Sequence, residues 1–206
     1  MPNPAAPPAS TVPPSTVPAP TAPSALATTA LATTALATSV LAIVVGTPIG
    51  PLSLLARDGR LIAGGFTADP AVLRARLALP LRQLALQTAA PGDLPWLATP
   101  FARYFDGDLP ALDAIPVDQP GPPSRQRLWA ALRAVRPGRT VSYTALAAQA
   151  GNPRAARAAG AACAYNLIAP VVPCHRALRS DGSLGGYYYG LDRKAWLLRH
   201  EGACIG

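Results

Sequence analysis

The stretch SYTALAAQAGNPRAARAAGAAC, Ser142 to Cys163, decides how the C-terminal part of the chain folds. Ser142 is a good N-cap, since its hydroxyl can accept from an unpaired N–H of a helix start, and Tyr143 to Ala150 then reads as a short helix. Gly151 suits the position just past a helix end, where the backbone turns left-handed. Asn152 reads as the cap of a second helix with Pro153 in its first turn. Two short helices joined by a tight glycine turn make a helix-turn-helix. The second helix carries Arg154 and Arg157, three apart and so on one face, while its other positions are almost all Ala and Gly. So thin a helix can lie close against another helix, or against a DNA groove with the arginines as the only long reach. Both partners are open at this level.

Downstream, VVPCHRALRSDG places Cys174 between a proline and His175. A free thiol is mostly protonated at neutral pH and needs a base or a positive charge to become a nucleophile. Adjacent residues in an extended segment point to opposite faces, so a direct Cys174–His175 contact requires a turn or a bridging water. A histidine base also needs a third group to orient it, and the acidic candidates nearby are Asp181, Asp192 and Glu201. Arg176 reads as a structural residue that fixes backbone carbonyls or a carboxylate. Against this stands a buried, inert cysteine, which is also the reading for Cys163 and Cys204. Three cysteines without paired spacing argue against a disulfide framework and for a reducing, cytoplasmic setting. With no CxxC or His-rich cluster, no metal site is expected. Ser180 to Gly190 is a glycine-rich loop with three tyrosines. It suits a flat ligand such as a nucleobase, or is a tyrosine-rich surface loop. A last helix, Leu191 to His200, presents Leu191, Ala195, Trp196 and Leu198 as its apolar stripe.

Upstream, Ser124 to Val135 reads as a helix capped by Ser124, and Arg139 to Val141 as a short extended piece. Gln119-Pro120-Gly121-Pro122-Pro123 marks a domain boundary after a linker, Asp106 to Gln119. Before it, Pro70 to Leu79 and Trp96 to Phe105 read as helices, and LAIVV, PLSLLA and RLIAGGF as antiparallel strands. Asp58-Gly59 between two of those runs is a hairpin signal. Residues 1–40 read as a disordered Pro/Ala/Thr-rich tail, 41–118 as a support domain and 119–206 as a second domain. The repeat LATTA, LATTA, LATSV steps its leucines by about 140° around a helix and so makes no stripe. Residues 26–45 are uncharged, but Ala and Thr dominate and no basic region precedes them, so no membrane association is expected. Residues 57–120 carry six arginines against seven aspartates, whereas 121–206 carry eleven arginines and Lys194 against Asp181, Asp192 and Glu201. That asymmetry points to a polyanion such as nucleic acid, or to a solvated basic face from an arginine-rich composition.

Taken together, Pro173-Cys174-His175-Arg176 resembles the active-site motif of the O6-alkylguanine-DNA alkyltransferases. Asn166, eight positions earlier, matches the family's hinge asparagine. VSYTALA and NPRAARAAG resemble its helix-turn-helix, SRQRLWAAL its opening helix, GLDRKAWLLRHEG its closing one and TPIGPLSLLA its first hairpin. The resemblance covers about Leu41 to Gly202. It implies an α+β fold: a small ribonuclease-H-like N-terminal domain with antiparallel sheet and helices, then a mostly helical domain of winged helix-turn-helix type. It implies DNA repair by irreversible, single-turnover transfer of the O6-alkyl group of guanine, and of O4-methyl from thymine, to Cys174 after base flipping. The partner is double-stranded DNA containing O6-alkylguanine, the protein is a monomer, and no cofactor is needed. By the same resemblance Glu201 orients His175, which takes the thiol proton through a water, and Asn166 holds the hinge. Tyr143 turns the target phosphate and protonates guanine N3, and Arg157 fills the gap left in the duplex. Thr144, Asn152, Ser124, Ser180 and Arg154 contact the DNA, and Tyr187, Tyr188, Ala177 and Lys194 belong to the base pocket.

Two departures stand out. Leu167 follows the hinge asparagine where the family often has proline, which leaves the hinge softer. Tyr188 and Tyr189 stand where small residues are common, which narrows the pocket in favour of methyl adducts. A helix-turn-helix regulator with an inert Cys174, and a cysteine hydrolase, are the rival readings; the first forms no covalent product and the second turns over.

Overall fold

A computed structural model describes residues 39–204. The expected tail therefore lies outside the described residues except for Ser39 and Val40, which already belong to a strand and are buried. The chain opens with β1 (Ser39–Val45), β2 (Leu52–Arg57) and β3 (Arg60–Gly65), paired antiparallel in sequence order. Asp58 and Gly59 both have positive φ, 49° and 68°, the backbone that a two-residue hairpin with matched twist requires. Two short helices follow, α1 (Pro70–Arg74) and α2 (Leu79–Arg82), where one helix was expected. Pro80 fits the first turn of α2, where its missing N–H is no loss, and it could not stand inside one continuous helix. β4 (Ala85–Thr88) then joins β1 in parallel, so the four-stranded sheet, in the order β3-β2-β1-β4, is mixed rather than wholly antiparallel.

Both faces of this sheet are covered, which is why its strands read as unbroken apolar runs. Val40, Ala42, Leu55 and Ile62 pack with Leu73 and Leu77 on one side. Ile43, Leu52, Leu54 and Leu61 face α3 (Pro95–Phe105) through Leu97, Phe101 and Tyr104 on the other. The expected linker is packed: a 3-10 helix, Leu109–Ala114, buries Ala111 and Leu112, and Leu61 bridges to Val117.

The C-terminal half begins with α4 (Pro123–Ala134), whose start is set by Pro122 and Pro123 and not by a Ser124 cap. β5 (Val141–Ser142) leads into α5 (Tyr143–Gln149), where the Ser142 hydroxyl accepts from the Ala145 N–H at 3.1 Å, as expected. Gly151, at φ 85°, makes the turn. The second helix of the pair, α6 (Ala156–Ala164), starts later than expected. Asn152 is not its cap: Asn152 donates its N–H to the Ala147 carbonyl and accepts from Ala155, so Asn152-Pro153-Arg154 is a turn. Arg154 therefore lies outside the helix that carries Arg157. Buried Ala159 and Ala162 let α6 pack closely, and Trp129 of α4 donates to the Ala162 carbonyl at 2.9 Å. A 3-10 turn, Cys174–Arg176, runs into β6 (Ala177–Leu178), which pairs in parallel with β5. The chain closes with α7 (Leu191–His200). Of the expected stripe Leu198 is fully buried, Ala195 and Trp196 are half-buried and Leu191 is exposed; Lys194 and Leu197 complete the buried face.

One apolar cluster runs from Ile43 and Leu54 through Phe101 to Trp129, Cys174 and Leu197, so the two halves share a core. Tyr189 seals it from the C-terminal side, its ring edge-on to Phe66 with centroids 5.7 Å apart. A Cβ on Gly65 would stand 1.8 Å from the Tyr189 hydroxyl oxygen and 2.4 Å from its ring, so this seam admits only glycine there. Gly65→Ala is expected to lower stability by about 1–3 kcal/mol through overpacking, read by denaturant unfolding. Unchanged stability would mean that Tyr189 does not sit in the seam.

Candidate active site

The site is built on the loop between α6 and the 3-10 turn. Asn166 organises it. Its side-chain Nδ2 donates to the Val172 carbonyl at 2.7 Å and to the Cys174 sulfur at 3.2 Å, while its Oδ1 accepts from the Ile168 N–H at 3.0 Å. One buried amide thus ties both ends of the loop to the thiol. The expected softness after Asn166 is offset by β3: the Leu167 carbonyl accepts from Gly64 N–H at 2.7 Å, and Ala169 N–H donates to the Gly64 carbonyl at 3.0 Å.

Cys174 is buried. Burial pushes its thiol up, and the Asn166 donor and the charges of Lys194 and Arg76 pull in the opposite direction. His175 lies in the same 3-10 turn, so the two neighbours are not held on opposite faces as in a strand. Its Nε2 meets Glu201 Oε1 at 2.9 Å, and its Nδ1 is buried without a protein partner. With Nε2 donating to the carboxylate, Nδ1 is left as the lone-pair nitrogen that can take a proton. Burial lowers the His175 pKa, and Glu201 works against that shift.

Glu201 is completely enclosed by donors. Arg176 grips both oxygens, Nε to Oε2 and Nη2 to Oε1, each at 2.8 Å, and its third nitrogen reaches the Val135 carbonyl. This bears out Arg176 as a structural residue. Tyr104 of α3 adds its hydroxyl to Oε1 at 2.7 Å. Burial alone would raise the Glu201 carboxyl, but His175 and Arg176 outweigh it and hold it well below the usual carboxylate range.

In front of the sulfur lies a cavity of about 330 Å³, walled by Tyr143, Gly160, Cys163 and Ala164 on one side and by Gly186, Tyr187 and Tyr188 on the other. Burial pushes the Tyr143 hydroxyl up to about 12, so it remains a proton donor at neutral pH. Gly185, at φ 62°, brings the loop so near that a Cβ would stand 2.9 Å from that hydroxyl. The Tyr187 hydroxyl is buried without a partner.

Among the base-pocket residues expected, Tyr187 and Tyr188 line the cavity, while Ala177 and Lys194 stand behind it. Lys194 is fully buried and donates to the Ala177 carbonyl at 2.6 Å and to the Leu184 carbonyl, which pins the tyrosine loop; burial brings its pKa down to about 8. Tyr189 turns away into the seam with β3, so it does not narrow the cavity; Tyr188 alone is placed to do so. Two residues escaped sequence reasoning. Cys163 shares the cavity wall, a position that follows only from where α6 ends. Tyr104 comes from the other half of the chain.

Arg157 sits exposed in the first turn of α6, close along the chain to Gly160 in the cavity wall, and Arg154, Asn152 and Thr144 are exposed around the helix-turn-helix. Ser124, at the start of α4, and Ser180, after β6, are exposed as well. No helix of the described residues is long and apolar enough to cross a membrane.

Comparison with known proteins gives one consistent picture. Residues 123–203 match the family model of the 6-O-methylguanine DNA methyltransferase DNA-binding domain. A methylated-DNA–protein-cysteine methyltransferase of Salmonella typhimurium is 38% identical over 159 residues, which span 77% of this chain and 93% of that protein. The human methylated-DNA–protein-cysteine methyltransferase is 48% identical over 98 residues, covering 48% of this chain and 47% of that protein. Among solved structures, Mycobacterium tuberculosis OGT in complex with DNA superposes with a TM-score of 0.64 at 30% identity, covering 79% of this chain and 92% of that one.

The buried pair His175–Glu201 makes stability depend on pH in one direction. A lowered histidine pKa means the unfolded chain takes a proton first, so stability falls as pH drops below about 6.5. A depressed carboxyl contributes stability above its unfolded value, about 4.3, and loses it as pH falls through the folded value. The melting temperature is expected to decline below about pH 6.5 and more steeply below about pH 4.5. A flat profile across that range would contradict the pairing.

Proposed function

The chain belongs to the O6-methylguanine-DNA methyltransferase family and repairs DNA by alkyl transfer to a cysteine; from that premise we propose how its own residues carry out the reaction. The acceptor is Cys174. One observation carries this assignment: the buried Cys174 sulfur borders the cavity, takes the Asn166 donor, and adjoins a histidine whose other nitrogen is fixed on a carboxylate. The substrate is O6-alkylguanine in double-stranded DNA, with O4-methylthymine as a second target. A stacked base cannot reach a sulfur at the bottom of such a cavity, so the nucleotide is flipped into it. Arg157 fills the vacated place in the duplex, helped by the small-residue surface of α6 that allows close approach. Tyr143 turns the target phosphate, and Thr144, Asn152, Arg154, Ser124 and Ser180 hold the strands. The basic excess of residues 121–206 adds sequence-independent affinity.

In the chemical step His175 takes the thiol proton through a water. The thiolate attacks the alkyl carbon, the S–C bond forms as the C–O bond breaks, and the electron pair returns to the guanine. Tyr143 supplies the proton that the leaving base needs at N3, which lowers the barrier by general acid catalysis. The product is a thioether with no path back to the thiol, so each molecule acts once, as a monomer and without cofactor. Cys163, Cys174 and Cys204 are all free thiols, which fits a reducing cytoplasmic setting. The crossover that brings β4 parallel to β1 supports a ribonuclease-H-like reading of residues 41–118, and the β5–β6 ladder beside α5 and α6 supports a winged helix-turn-helix in residues 119–206.

The test is loss of O6-methylguanine from a duplex in excess over protein. Guanine is expected to be restored in a single burst equal to the protein concentration, with none restored by Cys174→Ala. Continued turnover after the burst, or repair by Cys174→Ala, would overturn the proposal.

A further inference from the structure

Tyr104 is the one side chain that α3, in the N-terminal half, sends to the buried carboxylate. It is fully buried, and its hydroxyl meets the same oxygen, Glu201 Oε1, that pairs with His175 Nε2 and with Arg176 Nη2. Three donors on one carboxylate oxygen compete for the same lone pairs and the same charge. We propose that Tyr104 is a positioning residue for the alkyl transfer: by donating to Glu201 Oε1 it limits how firmly that carboxylate holds a proton on His175. The imidazole is thereby kept neutral, with Nδ1 free to take the proton of the Cys174 thiol. The proposal rests on the alkyl-transfer reading for its effect on rate, but its effect on His175 stands apart from it.

The groups that face this cluster leave Tyr104 a distinct place. Arg176 and Cys174 come from the 3-10 turn, and Lys194 acts on His175 from α7. Tyr187 from the tyrosine loop interacts electrostatically with Cys174, Tyr189, Tyr104 and Glu201 without a hydrogen bond to any of them. His200 of α7 packs edge-on against the Tyr104 ring at 5.2 Å and meets the Tyr104 carbonyl at 2.8 Å, so it holds the residue without touching Glu201 Oε1. The positive charges of Arg176 and Lys194 disfavour an imidazolium, and the negative charge of Glu201 favours one. The Tyr104 hydroxyl, itself kept protonated by burial and by Glu201, moderates that one favourable partner. In this arrangement the N-terminal half contributes directly to the active site.

The experiment follows the two histidine rings of the full chain by NMR across pH, with His200→Gln used to assign them. Tyr104→Phe removes the hydroxyl and keeps the ring against Phe105 and His200. It is expected to raise the His175 midpoint by about half a pH unit or more. A ring-fluorinated tyrosine at the same position keeps the packing, donates more strongly, and is expected to lower it. The acid limb of the single-turnover rate on an O6-methylguanine duplex should move with the midpoint, while affinity for the lesion duplex stays unchanged. If His175 titrates as in the parent chain in both variants, the proposal falls, even where the melting temperature drops. If the parent chain transfers no alkyl group, the functional reading falls, and the His175 midpoint still decides for or against Tyr104.

Discussion

The rest of the structure depends on one buried negative charge. Glu201 lies at the end of the last helix and has no access to water. A carboxylate in that position is tolerated only when every lone pair finds a donor. The donors come from three residues: Tyr104 in the N-terminal half, and His175 and Arg176 in the turn that carries the thiol. Satisfying Glu201 therefore fixes where α7, α3 and the 3-10 turn stand relative to one another. Arg176 extends the same network to the Val135 carbonyl at the end of α4. The interaction that anchors the fold is also the one that orients His175.

From this anchor the site grows outward in layers. Asn166 shapes the loop that brings Cys174 to the cavity, and β3 holds the backbone just after it. Lys194 pins the tyrosine loop from behind, so Tyr187 and Tyr188 form one wall. Gly160, Cys163 and Ala164 of α6 form the other together with Tyr143. The N-terminal half contributes sheet packing, a seam closed by Tyr189 against Gly65, and the Tyr104 hydroxyl. It is not a detached support, since both halves share a single apolar cluster.

Much of this was legible in the sequence, for physical reasons. Asp58-Gly59 announced its hairpin because few residues tolerate two successive positive φ values, and Ser142 announced its helix because a hydroxyl there fills an otherwise unpaired N–H. Cys174, His175, Glu201 and Asn166 came from the family resemblance, and the structure brings all four together. What was hidden depends on tertiary placement. Ser124 and Asn152 have the right chemistry for caps, yet Pro122 and Pro123 start α4 one residue early, and the Asn152 carbonyl is taken up in a turn with Ala155 N–H, so α6 starts only at Ala156. Lys194, expected in the base pocket, is not among the residues that line the cavity, because it is buried on two backbone carbonyls that hold the tyrosine loop. Tyr189 looked like pocket lining and points into the seam, because Gly65 leaves space there. Tyr104 carries no local signal at all: its partner is ninety-seven residues away.

The most direct test of this account is the single-turnover alkyl-transfer rate of Glu201→Gln on an O6-methylguanine duplex, measured where the variant is folded and binds the duplex. The amide keeps the size of the side chain and removes the charge that orients His175. The account predicts a rate lowered by about 100-fold or more, the range for losing a positioned general base. A rate equal to that of the parent chain would show that the buried carboxylate serves the fold alone, and that the thiol is activated by some other group.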